Sequence, residues 1–419
     1  MAGKIKTSVF SEIGELEGVI LHTPGKEVEN MTPRHAEKAL YSDILNKGII
    51  DKEYAQFRGV LDKMTKTYQV KDLLEGVLVN EKVKKSLIQK IVINENVEDL
   101  QSYLLELPVK ELSTQLIEGV TMNVDSLSKY LSNERYALEP LHNFFFTRDA
   151  SVSMYDKVLI SRMANRVRDR ESIIMEAIFD FSDEISSTTF NPVNNRCSNP
   201  DLTIEGGDVL IARDDIILVG LGARTSSQGI DCMIERFKKQ KKTQHIFVQE
   251  LPLTPESFIH LDMIFTFLDR DKVMTFDPMV FHSSKHTTIH ITIQNGKVQI
   301  REEVNLLTGL KKLGMDLESI SCGGTKDSYT QEREQWHSGA NFFALAPGKV
   351  IGYERNVYTI DELNKHGFDV LRAKDIINNK VNLDNYKKYV ITIEGSELTR
   401  GGGGCRCMTM PVKRKAVKW

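Results

Sequence analysis

Cysteine is scarce in this sequence, neither sign of charge is in marked excess and long apolar runs are missing, and each absence excludes a class of protein. Five cysteines in 419 residues, Cys197, Cys232, Cys322, Cys405 and Cys407, are an odd number spread from residue 197 onward. That is a poor framework for disulfides in a chain of this size and implies reduced thiols. A formal net charge of -3 leaves no polybasic face for nucleic acid. Nowhere do roughly 18 apolar residues run uninterrupted, as a membrane helix requires. The opening MAGKIKTSVFSEIGELEG lacks the apolar core of a signal peptide. The expectation is a cytoplasmic globular protein with neither nucleic acid nor a membrane as partner.

Metal-ligand patterns are equally thin. Cys405 and Cys407 are separated by one residue, which suits neither a redox pair nor half of a zinc knuckle. His282, His286 and His290 would line up only on a helix. Thr287 to Ile293 alternates and is rich in β-branched residues, which reads as a strand, so no metal site is expected there.

What the sequence does have is a recurring unit, a short apolar strand followed by a polar loop and an amphipathic helix. It is seen in VILHTPG before MTPRHAEKAL, VLISRMANRVRDRES before IIMEAIF, IILVGLGARTSSQG before IDCMIERF, VMTFDPMVF with a divergent continuation, and VIGYERNVYTIDELNKHGF. The strands begin near Val19, Val158, Ile217, Val273 and Val350. Spacing of this kind predicts stacked supersecondary units that share a core. The interval from Val19 to Val158 is too long by about one unit, and Leu73 to Leu141 carries apolar residues at three- and four-residue spacing. It reads as an inserted group of short helices.

RGGGGCRCMTMP, Arg400 to Pro411, sets a cysteine just after a glycine run where backbone can approach a ligand, making Cys407 a candidate nucleophile. A buried inert thiol is the competing reading of that segment taken alone. The glycines themselves predict a mobile loop. Charged residues edge apolar strands in FFFTRDASV (Asp149), IEGGDVLI (Glu205, Asp208) and HLDMIFTF (His260, Asp262). Arg168 and Arg224 lie just beyond the strand in two units. If both face one centre they form a fork for a carboxylate. Carboxylates at one end and arginines at the other suit an amphoteric substrate.

Taken together, FTRDASV, EGGDVLI, the G-x-G-x-R-T-S element, HLDMIFTF, GGTKDSYTQEREQWHSGANFFALAPGKVIGYERN and CMTMPVKR resemble arginine deiminases, in the expected order over nearly the whole chain. The resemblance implies the α/β pentein fold, a five-bladed β/α propeller of ββαβ-type modules, here residues 1–72 and 142–419 with residues 73–141 as a helical insertion. It implies hydrolysis of free L-arginine to L-citrulline and ammonia, the first step of fermentative arginine catabolism, without metal or organic cofactor. Cys407 matches the nucleophile, His260 the general acid and base, and Glu205, Asp149 and Asp262 the carboxylates around the guanidinium. Asn143, Arg168 and Arg224 match the groups that hold the substrate's carboxylate. A homo-oligomer, dimer or tetramer, is expected. The chain departs from the family pattern at Gly402, where some members carry arginine, and at the extra thiol Cys405.

Related agmatine or methylarginine hydrolases and amidinotransferases would share the Cys, His and acidic core. Agmatine has no carboxylate and no use for the Arg168 and Arg224 fork. A catalytically silent arginine-binding protein is a further alternative, since a fold can host many functions. A papain-like protease is not supported, for its cysteine signature is missing near the start.

Overall fold

The computed structural model describes residues 3–33, 41, 43–132, 134–194, 199, 201–281 and 285–419. Cys197, His282 and most of the helix expected in MTPRHAEKAL lie outside the described residues.

Five sheets of three or more strands are built on one plan: an antiparallel hairpin, then a helical crossover to a strand parallel to the hairpin's second strand. In Ser151–Met154, Lys157–Ile160 and Thr189–Phe190 the crossover is the helix Asp169–Phe181. In Val209–Arg213, Ile216–Leu221 and Gln244–Glu250 it is Ser227–Phe237, whose N-terminus is capped by the Ser226 side chain. Phe265–Phe267, Lys272–Thr275 and Glu318–Ser321 form the next sheet. Phe343–Ala346, Lys349–Tyr353, Tyr389–Ile393 and Asp369–Arg372 form another, crossed by Val357–Lys365. The remaining sheet takes its hairpin partner from the far end of the chain: Met410–Arg414 runs antiparallel to Leu16–Leu21, which is parallel to Lys66–Gln69.

All five expected strand starts fall inside strands. The crossover of the sheet built on Leu16–Leu21 is Lys47–Met64, later than the helix read from sequence. Asn46 caps it, and it buries Ile50, Tyr54, Phe57, Val60 and Leu61 at helical spacing. The divergent continuation after Val273 has a physical reason. The hairpin Thr288–Gln294 and Lys297–Glu303 leaves its own unit and extends the neighbouring sheet beyond Gln244–Glu250. This agrees with the strand reading of Thr287 to Ile293.

Between Val70 and Leu131 lie the helices Val70–Leu78, Glu81–Glu95, Gln101–Glu106, Val109–Glu118 and Leu127–Leu131. A small ribbon, Val120–Thr121 with Tyr136–Leu138, accompanies them. The apolar faces of the first four share one buried cluster with Ile174 and Ile178 of Asp169–Phe181 and with Met410, whereas Leu127–Leu131 buries no residue, so the helical block packs onto the sheets without a core of its own.

The residues just ahead of each hairpin are stitched into a closed circuit. Arg148 N–H donates to the Cys407 carbonyl at 3.1 Å, and Gly206 N–H to the Asp149 carbonyl at 3.1 Å. Leu261 N–H donates to the Asp208 carboxylate at 2.9 Å, the Asn341 amide to the Asp262 carbonyl at 3.0 Å, and Arg406 N–H to the Asn341 side-chain oxygen at 2.9 Å. Candidate site residues from distant parts of the sequence are thereby fixed around one point. No helix among the described residues is long and apolar enough to cross a membrane.

Candidate active site

Each candidate side chain stands at the entry to a first hairpin strand or just past a second one, where the backbone leaves the ladder and can turn toward a cleft. Gly206 and Gly207 serve this turn before Val209. A Cβ on Gly206 would meet the Arg148 carbonyl at 2.1 Å, and one on Gly207 the His260 ring at 2.5 Å.

Asn143, Asp149, Arg168, Arg224, His260 and Cys407 line one narrow cleft, together with Phe146, Trp336 and Gly401 to Gly403. Glu205 and Asp262 stand behind that wall and are fully buried. Glu205 Oε2 lies 2.9 Å from His260 Nε2, and its Oε1 accepts from the Ala164 N–H at 2.9 Å. Asp262 Oδ2 lies 3.7 Å from the Cys407 sulfur.

The expected separation, carboxylates at one end and arginines at the other, is not what the structure has. Arg168 Nη1 bonds to Asp149 Oδ2 at 2.8 Å, and Arg224 Nη1 stands 3.6 Å from Glu205 Oε1. The other edge of Arg168 is held by Glu171 at 3.0 and 2.8 Å. Opposite charges taken out of water pair with whatever partner the fold brings near, and these groups share one small cavity.

The electrostatics follow. Burial opposes a charge on His260, yet Asp149, the Glu205 hydrogen bond and Asp208 raise it to about 9, so the ring is an imidazolium at neutral pH. Burial likewise opposes ionisation of Glu205, but Arg224, His260 and Arg168 hold its carboxyl down at about 2. Burial, then the Asp262 and Asp149 carboxylates, push the Cys407 thiol well above its ordinary range. Burial raises Asp208 to about 7. The site therefore holds a neutral thiol beside a charged imidazole. Asp149, Glu205 and His260 offer ligand atoms within 4.8 Å of one another, but a metal cation there would face the Arg168 and Arg224 guanidiniums.

Sequence reasoning missed several members of this constellation. Arg406, fully buried, bonds to Asp262 Oδ2 at 2.8 Å and to both oxygens of Glu12 at 3.0 and 3.1 Å. Asn341 touches the Cys407 sulfur at 3.3 Å. Glu171 follows Arg168 by one helical turn, a spacing that could have flagged it. Gly402 adopts a φ of +83°, open to the left-handed region without strain only for glycine. Arg400 ion-pairs with Asp43 and, at 3.0 Å, with Glu397. Cys322, Cys405 and Cys407 are free thiols, and all three are buried, as is Cys232.

Over 98% of both chains, the fold is similar to that of SxtG, an amidinotransferase from Microseira wollei in the saxitoxin biosynthetic pathway, with a TM-score of 0.51 and 13% identity. It is also similar to unliganded AgrE, with a TM-score of 0.52 and 13% identity over 95% of this chain and 40% of that longer one. By fold the chain is thus an α/β protein of the pentein class. A family model described as arginine deiminase matches residues 37–414. Arginine deiminases of Bacillus cereus (strain B4264) and Oenococcus oeni (strain ATCC BAA-331 / PSU-1) are 33% and 31% identical to the chain, each over 98% of both sequences. The chain belongs to the arginine deiminase family.

Proposed function

We propose that this protein hydrolyses L-arginine to L-citrulline and ammonia, with Cys407 as nucleophile and a covalent intermediate on its sulfur. The observation that carries the reading is the Asp149–Arg168 ion pair set in the cleft wall beside the thiol and the imidazolium. Arginine presents a guanidinium at one end and a carboxylate at the other. On binding it replaces both halves of that pair, so neither buried charge is stranded. Arg224 and Asn143 complete the carboxylate end, and Asp149 and Asp262 grip the guanidinium.

The guanidinium carbon is a poor electrophile because its charge is delocalised, and fixing it between carboxylates orients it for attack. Its positive charge offsets the two carboxylates that push the thiol up, so substrate arrival favours the thiolate, and the thiol proton leaves to solvent. Sulfur adds to the carbon, His260 passes its proton to the departing nitrogen, and ammonia leaves an amidino cation on Cys407. Water then adds to that carbon as His260 takes one of its protons. The C–S bond breaks to release citrulline and thiolate, and the second proton goes to ammonia. Glu205 balances the charge on His260 throughout. The scheme uses no metal and no organic cofactor.

We also read the five sheets as blades of a five-bladed propeller, residues 1–72 and 142–419, with residues 73–141 inserted after its first module. The repeated strand plan and the hydrogen-bonded circuit support this. A cytoplasmic homo-oligomer, dimer or tetramer, belongs to the same reading. The test is citrulline and ammonia release from L-arginine, beside agmatine and a Cys407→Ala control. Equal amounts of both products from arginine alone, abolished in the control, are expected. Arginine binding without any product would overturn the reading in favour of a binding protein.

A further inference from the structure

Four of the five first hairpin strands are preceded by a residue already placed in the reaction: Asp149 before Ser151, Glu205 before Val209, Asp262 before Phe265 and Cys407 before Met410. At the corresponding place before Phe343–Ala346 stands Asn341, 1% exposed. Its carboxamide orientation is forced. One end accepts the backbone N–H of Arg406 at 2.9 Å and of Cys407 at 3.4 Å, so that end is the oxygen. The NH2 end therefore faces the Asp262 carbonyl at 3.0 Å and the Cys407 sulfur at 3.3 Å. Both lone pairs and both hydrogens are engaged, which leaves the amide no freedom to rotate. Gly404 packs directly against this side chain, where a Cβ would meet it at 2.5 Å.

Resting on the deiminase reading above, we propose that Asn341 is a catalytic residue: its amide N–H stabilises the Cys407 thiolate while its oxygen holds the backbone of the nucleophile in place. A hydrogen bond to a charged acceptor is markedly stronger than one to a neutral thiol, so the contact gains strength as the proton leaves. The donor must also be neutral. A lysine or arginine at this place would compete with the substrate guanidinium for Asp149 and Asp262, whereas an amide supplies a dipole and leaves both carboxylates available. Because thiolate is the nucleophile of the first half-reaction and the leaving group of the second, the same donor assists both.

Asn341→Asp retains an oxygen for the backbone N–H groups and removes the donor. Because its new carboxylate would itself push the thiol up, Asn341→Ser, which removes the amide donor without adding charge, is read beside it and must shift the thiol in the same direction. The pH dependence of Cys407 alkylation by iodoacetamide, read on the mapped peptide without arginine, is expected to move up by about one pH unit or more. Turnover is expected to fall about 100-fold, as for loss of a donor aimed at developing charge. Arginine affinity measured in the Cys407→Ala background stays within about threefold of its parent, because the donor acts on the thiolate and not on substrate. An unmoved alkylation midpoint overturns the proposal even if turnover drops, since Asn341 would then only prop the loop. Turnover within about threefold of the parent also overturns it. If Asn341→Asp does not fold, Asn341→Ser, whose hydroxyl falls short of the sulfur, carries the same two readouts. Alkylation is read without substrate, so a parent chain that releases no citrulline would refute the deiminase reading separately.

Discussion

Arg406 and Asp262 form a buried ion pair directly behind the nucleophile, Nη1 to Oδ2 at 2.8 Å, and Glu12 clamps the rest of the Arg406 guanidinium. A residue near the start of the chain thus reaches the thiol through two intermediaries. Burial opposes ionisation of Glu12, but Arg406 and Arg148 hold its carboxyl at about 2.

Removing Glu12 leaves Arg406 with half its countercharge in a site from which water is excluded. Breaking a buried pair from one side costs about 3–5 kcal/mol. Glu12→Ala is expected to lose stability of that order in denaturant unfolding, and to lose turnover as Arg406 draws Asp262 away from the thiol. A variant of parental stability would show that Glu12 is a bystander.

The His260 value gives a pH prediction with a definite sign. A folded value of about 9 against an ordinary 6.5 means that its charge stabilises the fold fully below pH 6.5, and that this is lost as pH rises through 9. Nuclear magnetic resonance of the ring in Cys407→Ala should show the imidazolium persisting to about pH 9. Glu205→Gln should bring the transition down, and a ring already neutral at pH 7 in the parent would contradict the site electrostatics.

Thiol reactivity should depend on the charge of the reagent. With Cys407 held neutral by burial, Asp262 and Asp149, neutral iodoacetamide should react slowly at pH 7. A cationic haloacetamidine, which places positive charge between those carboxylates, should react about 100-fold faster or more, a factor that corresponds to about 3 kcal/mol of charge stabilisation. Equal rates, measured by loss of activity, would argue against substrate-assisted ionisation.

Two glycines of the loop should respond differently to alanine. Gly404→Ala forces a Cβ within 2.5 Å of Asn341 and should displace the nucleophile, reducing turnover strongly at a stability cost of about 1–3 kcal/mol. Gly402→Ala has open space around it but a φ of +83°, costing about 1 kcal/mol of backbone strain with smaller effect on turnover. Steady-state kinetics and thermal unfolding of both variants check the order.

Much of the site was legible because its members announce themselves locally. Cys407 follows a glycine run, and Asp149, Glu205 and His260 each interrupt the edge of an apolar strand. What local pattern could not carry was pairing across the molecule. Glu12 and Arg406 are 394 positions apart, and nothing in the neighbourhood of either marks it as buried. Asn341 lies in the segment HSGANFF but carries no charge to mark it. The mixing of arginines with carboxylates was misjudged because chain order does not say which end of a cleft a side chain reaches. The ribbon Val120–Thr121 with Tyr136–Leu138 is too short to show alternation.

The Asp149–Arg168 pair makes the cleft respond to its ligand in two coupled halves. A guanidine fragment alone leaves Arg168 to Glu171 only, and a carboxylate fragment alone leaves Asp149 to the His260 ring at 3.8 Å, so each deprives a buried charge of part of its countercharge. Either fragment, once in place, removes that penalty for the other. To this cleft an arginine molecule is therefore two cooperative ligands joined by an aliphatic tether, and the tether's length sets how far the cooperativity is realised.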